Sequence, residues 1–146
     1  MADSHGMAER YFEPHDVDAL IPTLTRVMGD IMRTNEQATA IAARLEAERE
    51  RIGAAGGGVI DRAAWKADTE RLSQLAETVK AGLAEIGGMG GTIKDLSLGL
   101  VDFPHRRDGR VVNLCWKYGE NAVTHWHGLD EGYANRKPLR PGRGTP

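Results

Sequence analysis

Three runs near the C-terminal end decide the reading of this chain: Gly99-Leu100-Val101-Asp102-Phe103-Pro104, Arg110-Val111-Val112-Asn113-Leu114-Cys115-Trp116-Lys117 and Ala122-Val123-Thr124-His125-Trp126-His127. Each is short, rich in β-branched and aromatic residues and bounded by turn formers, so Leu98–Phe103, Arg110–Lys117 and Ala122–His127 read as strands. Pro104–Gly109 and Tyr118-Gly119-Glu120-Asn121 read as the turns between them. The result is a three-stranded meander, with Thr92–Leu96 as an extra edge. Five of the chain's eight aromatic residues, Phe103, Trp116, Tyr118, Trp126 and Tyr133, fall in this last third, enough to pack a sheet onto its support.

Upstream the periodicity is helical. Pro14 suits a first helical position, Glu13 and Asp16 favour the positive end of the helix dipole, and Phe12 with Val17 has the spacing of a hydrophobic staple. Val17, Leu20, Ile21, Leu24, Val27, Met28 and Ile31 then recur at spacings of three and four, and a weaker stripe continues to Ile52. Pro22 predicts a kink, or a short helix handing over to a long one. The glycines between Gly53 and Gly58 predict a flexible turn, after which Asp61 caps a second helix that ends at Gly87 and Gly88. A bare two-helix hairpin has little core, so burial must come from the sheet, from a second copy of the chain, or from both.

At 146 residues the chain is read as one domain with ordinary soluble composition. Residues 1–10 read as a disordered leader, 11–139 as the domain and 140–146 as a flexible tail. No apolar run is long enough to span a bilayer and no secretory signal opens the chain, while the single Cys115 suits a reducing compartment. These features point to the cytosol. Residues 1–103 hold 11 Lys/Arg against 17 Asp/Glu, a balance of −6, whereas residues 104–146 hold 8 against 4, a balance of +4. The C-terminal third is therefore where a small anionic ligand would bind, although nucleic-acid binding usually brings a far more basic domain.

Gly99–Pro104, Asp108-Gly109-Arg110, Leu114-Cys115-Trp116-Lys117 with Gly119-Glu120, Trp126-His127 and Gly132-Tyr133 with Arg136 together resemble the signature of a prokaryotic family catalogued as domain of unknown function 2203. The opening segment from Phe12 to Pro22 is similar as well, and the likeness runs from Tyr11 to Leu139. It implies the architecture and a choice of residues, but no reaction. Asn135 departs from the pattern, which has glycine there, and no role for His125 is implied.

Cys115 is a nucleophile candidate if positive charge or a base from His127, Arg110 or Arg136 favours its thiolate; the commoner fate of a free cysteine is an inert, buried strand position. Register decides which. A two-residue turn at Gly119-Glu120 sets Leu114 opposite His125 and puts Cys115 on the face away from both histidines, whereas a three-residue turn at Tyr118–Glu120 puts all three on one face. His125 and His127, two apart on a strand, form an alternative metal pair that needs a third ligand from Cys115, Glu120, Asp102 or Asp130. A divalent metal is the less favoured cofactor. Glu120 joins His127 as an acid/base candidate, Asp102 interrupts an apolar strand, and Arg136, Trp116, Trp126 and Asp102 are the ligand-binding candidates.

The fold expected is α+β: a long antiparallel helical hairpin (11–88) packed with a small three-stranded antiparallel meander (92–139), forming a homodimer through its helix stripes. The function expected is a small-molecule or anion site on the C-terminal sheet, enzymatic or not. The alternative is a non-catalytic scaffold or protein-interaction module.

Overall fold

The computed structural model describes residues 10–54, 56 and 61–139, so the predicted tail, nearly all of the leader and most of the inter-helix turn lie outside the described residues. Two long helices precede an antiparallel sheet, the α+β arrangement expected. Helix α1 covers Pro14–Ala54 and helix α2 covers Arg62–Gly88. The sheet holds strands β1 (Thr92–Asp95), β2 (Leu100–Arg107), β3 (Arg110–Lys117), β4 (His125–His127) and β5 (Lys137–Pro138), in chain order. It has five strands rather than three. β1 is the extra edge anticipated, and β5 is a two-residue strand that pairs with β4 through His125↔Pro138 and Trp126↔Lys137.

The helix starts follow their local chemistry. Pro14 is the first residue of α1, the Glu13 N–H donates to Asp16 Oδ2 at 2.8 Å, and the staple residues Phe12 and Val17 are both buried. Asp61 Oδ1 accepts the Ala64 N–H at 3.1 Å and so caps α2. At Pro22 there is no handover between helices: α1 is one helix of 41 residues with the proline inside it.

Compact packing divides the chain in two. Residues 30–83 form a helical unit in which Arg44 pairs with Asp68 and Gly82 lies beneath the Ile31 side chain. The described residues 10–29 and 84–139 form the other unit, which contains the whole sheet. One face of that sheet carries Val101, Phe103, Leu114 and Trp116, all fully buried; Phe12 meets Phe103 edge-on at 5.1 Å.

Pro104 corrects the predicted Pro104–Gly109 turn. β2 runs through it to Arg107, and the turn is only Asp108 (φ 53°) and Gly109 (φ 78°), a two-residue hairpin with both positions left-handed. The pairing Arg107↔Arg110 places Pro104 opposite Asn113, at a position where the strand's backbone groups point away from β3. The missing N–H therefore costs no ladder bond, and the Pro104 carbonyl instead accepts the Phe12 N–H at 2.7 Å.

Candidate functional site

The β3–β4 register settles which face Cys115 occupies. Cys115 pairs with His125 and Asn113 with His127, so the connection is longer than either turn considered, but its parity puts Cys115 on the histidine face. Across β2, Cys115 pairs with Asp102. Asp102, Cys115 and His127 thus project from three adjacent strands on one face, are 2%, 1% and 3% exposed, and bring their ligand atoms within 4.8 Å of one another. Among the described residues this is the one group of three or more His, Cys, Asp or Glu side chains so placed.

His127 is held at both ring nitrogens. Nδ1 lies 2.8 Å from the Gly128 carbonyl oxygen, which can only accept, so Nδ1 carries a hydrogen and donates it. Nε2 lies 3.1 Å from both Asp102 carboxylate oxygens, with hydrogen-bond geometry to Oδ1 alone; Oδ2 is buried and without a hydrogen-bond partner. Nitrogen lone pair and carboxylate face one another, so a positively charged species must stand between them, and a proton is the simplest. Burial holds Asp102 above the ordinary carboxylate range, against the opposing influence of His127, Lys94 and the Cys115 thiol. Burial, then the neighbouring Asp102, pushes the Cys115 thiol up to about 11, with Arg136 opposing. At neutral pH the metal-free cysteine is a thiol and a poor nucleophile.

A small cavity of about 100 Å³ adjoins these groups, lined also by Lys94, Leu100, Glu131, Gly132 and Tyr133. Lys94, Glu131 and Tyr133 were not singled out from sequence as site residues. Only the Gly132-Tyr133 block of the family signature hinted at them, because the strand pattern carries no information about which loop folds over a face.

The other candidates are engaged in separate contacts, although Arg136 and Glu120 lie close enough to Cys115 to act on its thiol and His125 is its cross-strand partner. Glu120 spends both carboxylate oxygens on structure: Oε1 accepts the Lys117 N–H at 2.9 Å and Oε2 accepts from Arg136 Nη2 at 3.0 Å. Arg136 in turn stacks on Tyr133 at 4.5 Å, while its Nη1 is buried without a partner. Trp116 is fully buried and its indole N–H donates to the Glu120 carbonyl at 3.0 Å. His125, half-buried, has Nδ1 2.8 Å from Thr124 Oγ1; burial and then Arg136 lower its pKa. Trp126 borders a separate cleft of about 390 Å³ with Arg110, Leu129 and Lys137, its ring flanked by Arg107 at 5.0 Å and Lys137 at 4.8 Å. His105, not a sequence candidate, is buried and donates from Nδ1 to the Phe12 carbonyl at 2.7 Å, a structural role.

The family model described as "Uncharacterized conserved protein (DUF2203)" matches residues 10–139. The chain belongs to the DUF2203 family. No curated protein and no solved structure matches it. The match includes the helix start at Pro14, all five strands and every member of the Asp102–Cys115–His127 group, so the site lies inside the family domain. Among the described residues of this DUF2203 chain, no helix is long and apolar enough to cross a membrane.

Proposed function

We propose that this DUF2203 protein binds a small polar ligand on the Asp102–Cys115–His127 face of its sheet, with the Asp102–His127 pair as the acid/base element. One observation carries the reading: a buried carboxylate lies 3.1 Å from a histidine whose other ring nitrogen is held by a backbone carbonyl, beside a cavity. A carboxylate and an imidazole buried together without chemical use are an expensive way to hold a sheet together, since apolar residues of similar volume commonly serve as well. About 100 Å³ is far below the volume of a typical metabolite pocket, so only a few-atom ligand, or the reactive end of a larger one, fits. Lys94 supplies positive charge at the rim, which favours an anionic group.

The test is a thermal-shift screen of small anions and metabolites with metal-free protein, repeated with Asp102→Asn and His127→Ala. A ligand response of wild type that both variants lose supports the site; responses unchanged by both substitutions would retire it.

The scaffold reading draws on other residues. Trp116 is wholly core and Glu120 is fully engaged in holding a loop, so neither needs a ligand to explain it. The helical unit favours self-association: among the described residues between 30 and 83 only Ile31 and Leu75 are buried hydrophobics, while Ile41, Leu45, Ile52, Leu72 and Val79 are half-exposed. A second copy of the chain laid along this stripe would complete the burial, giving a homodimer. The single buried thiol suits a cytosolic setting.

A further inference from the structure

We infer that Asp102, Cys115 and His127 are the ligands of one divalent transition metal of the zinc class, with the adjoining cavity as its open coordination position. Such a metal would be the resident ligand of the sheet-face site proposed above, so the assignment rests on that site; with the metal bound, Asp102 and His127 hold the ion and no longer act as an acid/base pair.

Three features of the group favour a metal over a mere polar cluster. The first is the histidine. Metal-binding imidazoles commonly donate their second ring N–H to a backbone carbonyl or carboxylate, which leaves the other nitrogen's lone pair aimed at the ion. His127 does this through Nδ1 and Gly128, leaving Nε2 aimed at Asp102. The second is the carboxylate: Asp102 Oδ2 is buried with no hydrogen-bond partner, in a residue 2% exposed, beside the group's other two ligand atoms. His127 Nε2 is 3.1 Å from Oδ2 but poorly aligned with it; buried acceptors that receive no hydrogen bond are rare in folded proteins, and a coordinated cation satisfies one.

The third is the distance between donors. Tetrahedral zinc bonds require ligand atoms roughly 3.3–3.6 Å apart. Asp102 and His127 are at 3.1 Å and the whole group falls within 4.8 Å, so closure around an ion needs only side-chain adjustments. Charge agrees as well. A carboxylate, a thiolate and a neutral imidazole balance a dication, so the three ligands and the ion together carry no net charge. A thiolate and an imidazole select zinc-like ions over magnesium or calcium. Three protein ligands beside a cavity is the arrangement of sites that keep a position for water or substrate, rather than of closed structural sites. Binding would also convert the inert thiol into a coordinated thiolate, releasing its proton.

The experiment uses the full chain stripped with a chelator, then titrated with Zn²⁺ and, in parallel, with Co²⁺. The expected result is one metal per chain, a near-ultraviolet thiolate-to-cobalt charge-transfer band, and release of at least one proton per zinc near neutral pH. Cys115→Ser should abolish the band while the protein stays folded, and Asp102→Asn and His127→Ala should each weaken zinc binding tenfold or more. His15→Ala, at an exposed helix position, serves as the control and should change nothing. Absence of the cobalt band in wild type overturns the assignment, and so does stoichiometric zinc binding that survives Cys115→Ser and His127→Ala unweakened. Band and proton release are read on wild type, so a variant that fails to fold does not spoil the test. If zinc fails to bind but Asp102→Asn still abolishes a metabolite response, the metal is wrong and the sheet-face site stands. If zinc binds as expected and no small molecule responds with or without it, the metal stands and the wider ligand reading falls.

Discussion

Gly91 shows how tightly single residues are specified here. A Cβ added to it would lie 2.7 Å from Val101 Cγ1 and 2.9 Å from Phe103 Cζ, both on fully buried side chains that have no room to yield. Gly91→Ala is expected to destabilise the protein by about 1–3 kcal/mol through overpacking, read from urea denaturation midpoints. The Glu120–Arg136 pair is a second residue-scale case. Glu120 joins the Lys117 N–H to the Arg136 guanidinium, so Glu120→Ala leaves a mostly buried arginine unpaired and a loop N–H unmet. It is expected to cost roughly 1–3 kcal/mol. Arg136→Lys should recover little of the loss caused by Arg136→Ala, because an ammonium cannot reproduce both the stacking on Tyr133 and the planar hydrogen bond. Parallel denaturation of the three variants checks this ordering.

Among the elements, the β1–β2 connection matters most because it sets Asp102 in register. Asp95 Oδ1 accepts the Leu98 N–H at 2.9 Å and the Ser97 hydroxyl at 2.7 Å, and Gly99 completes the reversal with φ 74°. The Leu98 N–H, then the Ser97 hydroxyl, lower the Asp95 pKa below the usual carboxylate range. A folded-state pKa lowered relative to the unfolded chain contributes stability above the unfolded value, and that contribution disappears as pH falls through the folded one. Asp95→Asn should therefore flatten the acid limb of the stability profile below about pH 4 while leaving the shape of the profile near neutrality unchanged. Urea midpoints measured across that range decide it. The β2–β3 hairpin was legible only in part. Asp108-Gly109 is a strong two-residue turn signal, yet Pro104 suggested that the strand ended earlier. Whether a proline interrupts a strand depends on which side of the ladder its nitrogen faces, and that is a property of the pairing.

For the whole molecule, the proposed dimer makes the sharpest demand. If a second copy covers the half-exposed stripe of Ile41, Leu45, Leu72 and Val79, the thermal midpoint should rise with protein concentration, and Leu45→Glu should give monomers in light scattering at concentrations where wild type is dimeric. A midpoint independent of concentration, together with a monomeric mass for wild type, would remove the dimer. The sequence by itself determined the α+β class, both helices with their starts at Pro14 and Asp61, and the positions of β2, β3 and β4 to within a few residues. These follow from periodicity and capping, which act over one or two turns of chain. Only the tertiary structure decided that β5 completes the sheet, that Trp116 and Glu120 are occupied by structural contacts, and that Asp102 joins Cys115 and His127. Those outcomes depend on strand register, where a one-residue slip sends every side chain to the opposite face. The sequence could name the residues of the sheet-face cluster singly, but their meeting required the pairing of three strands.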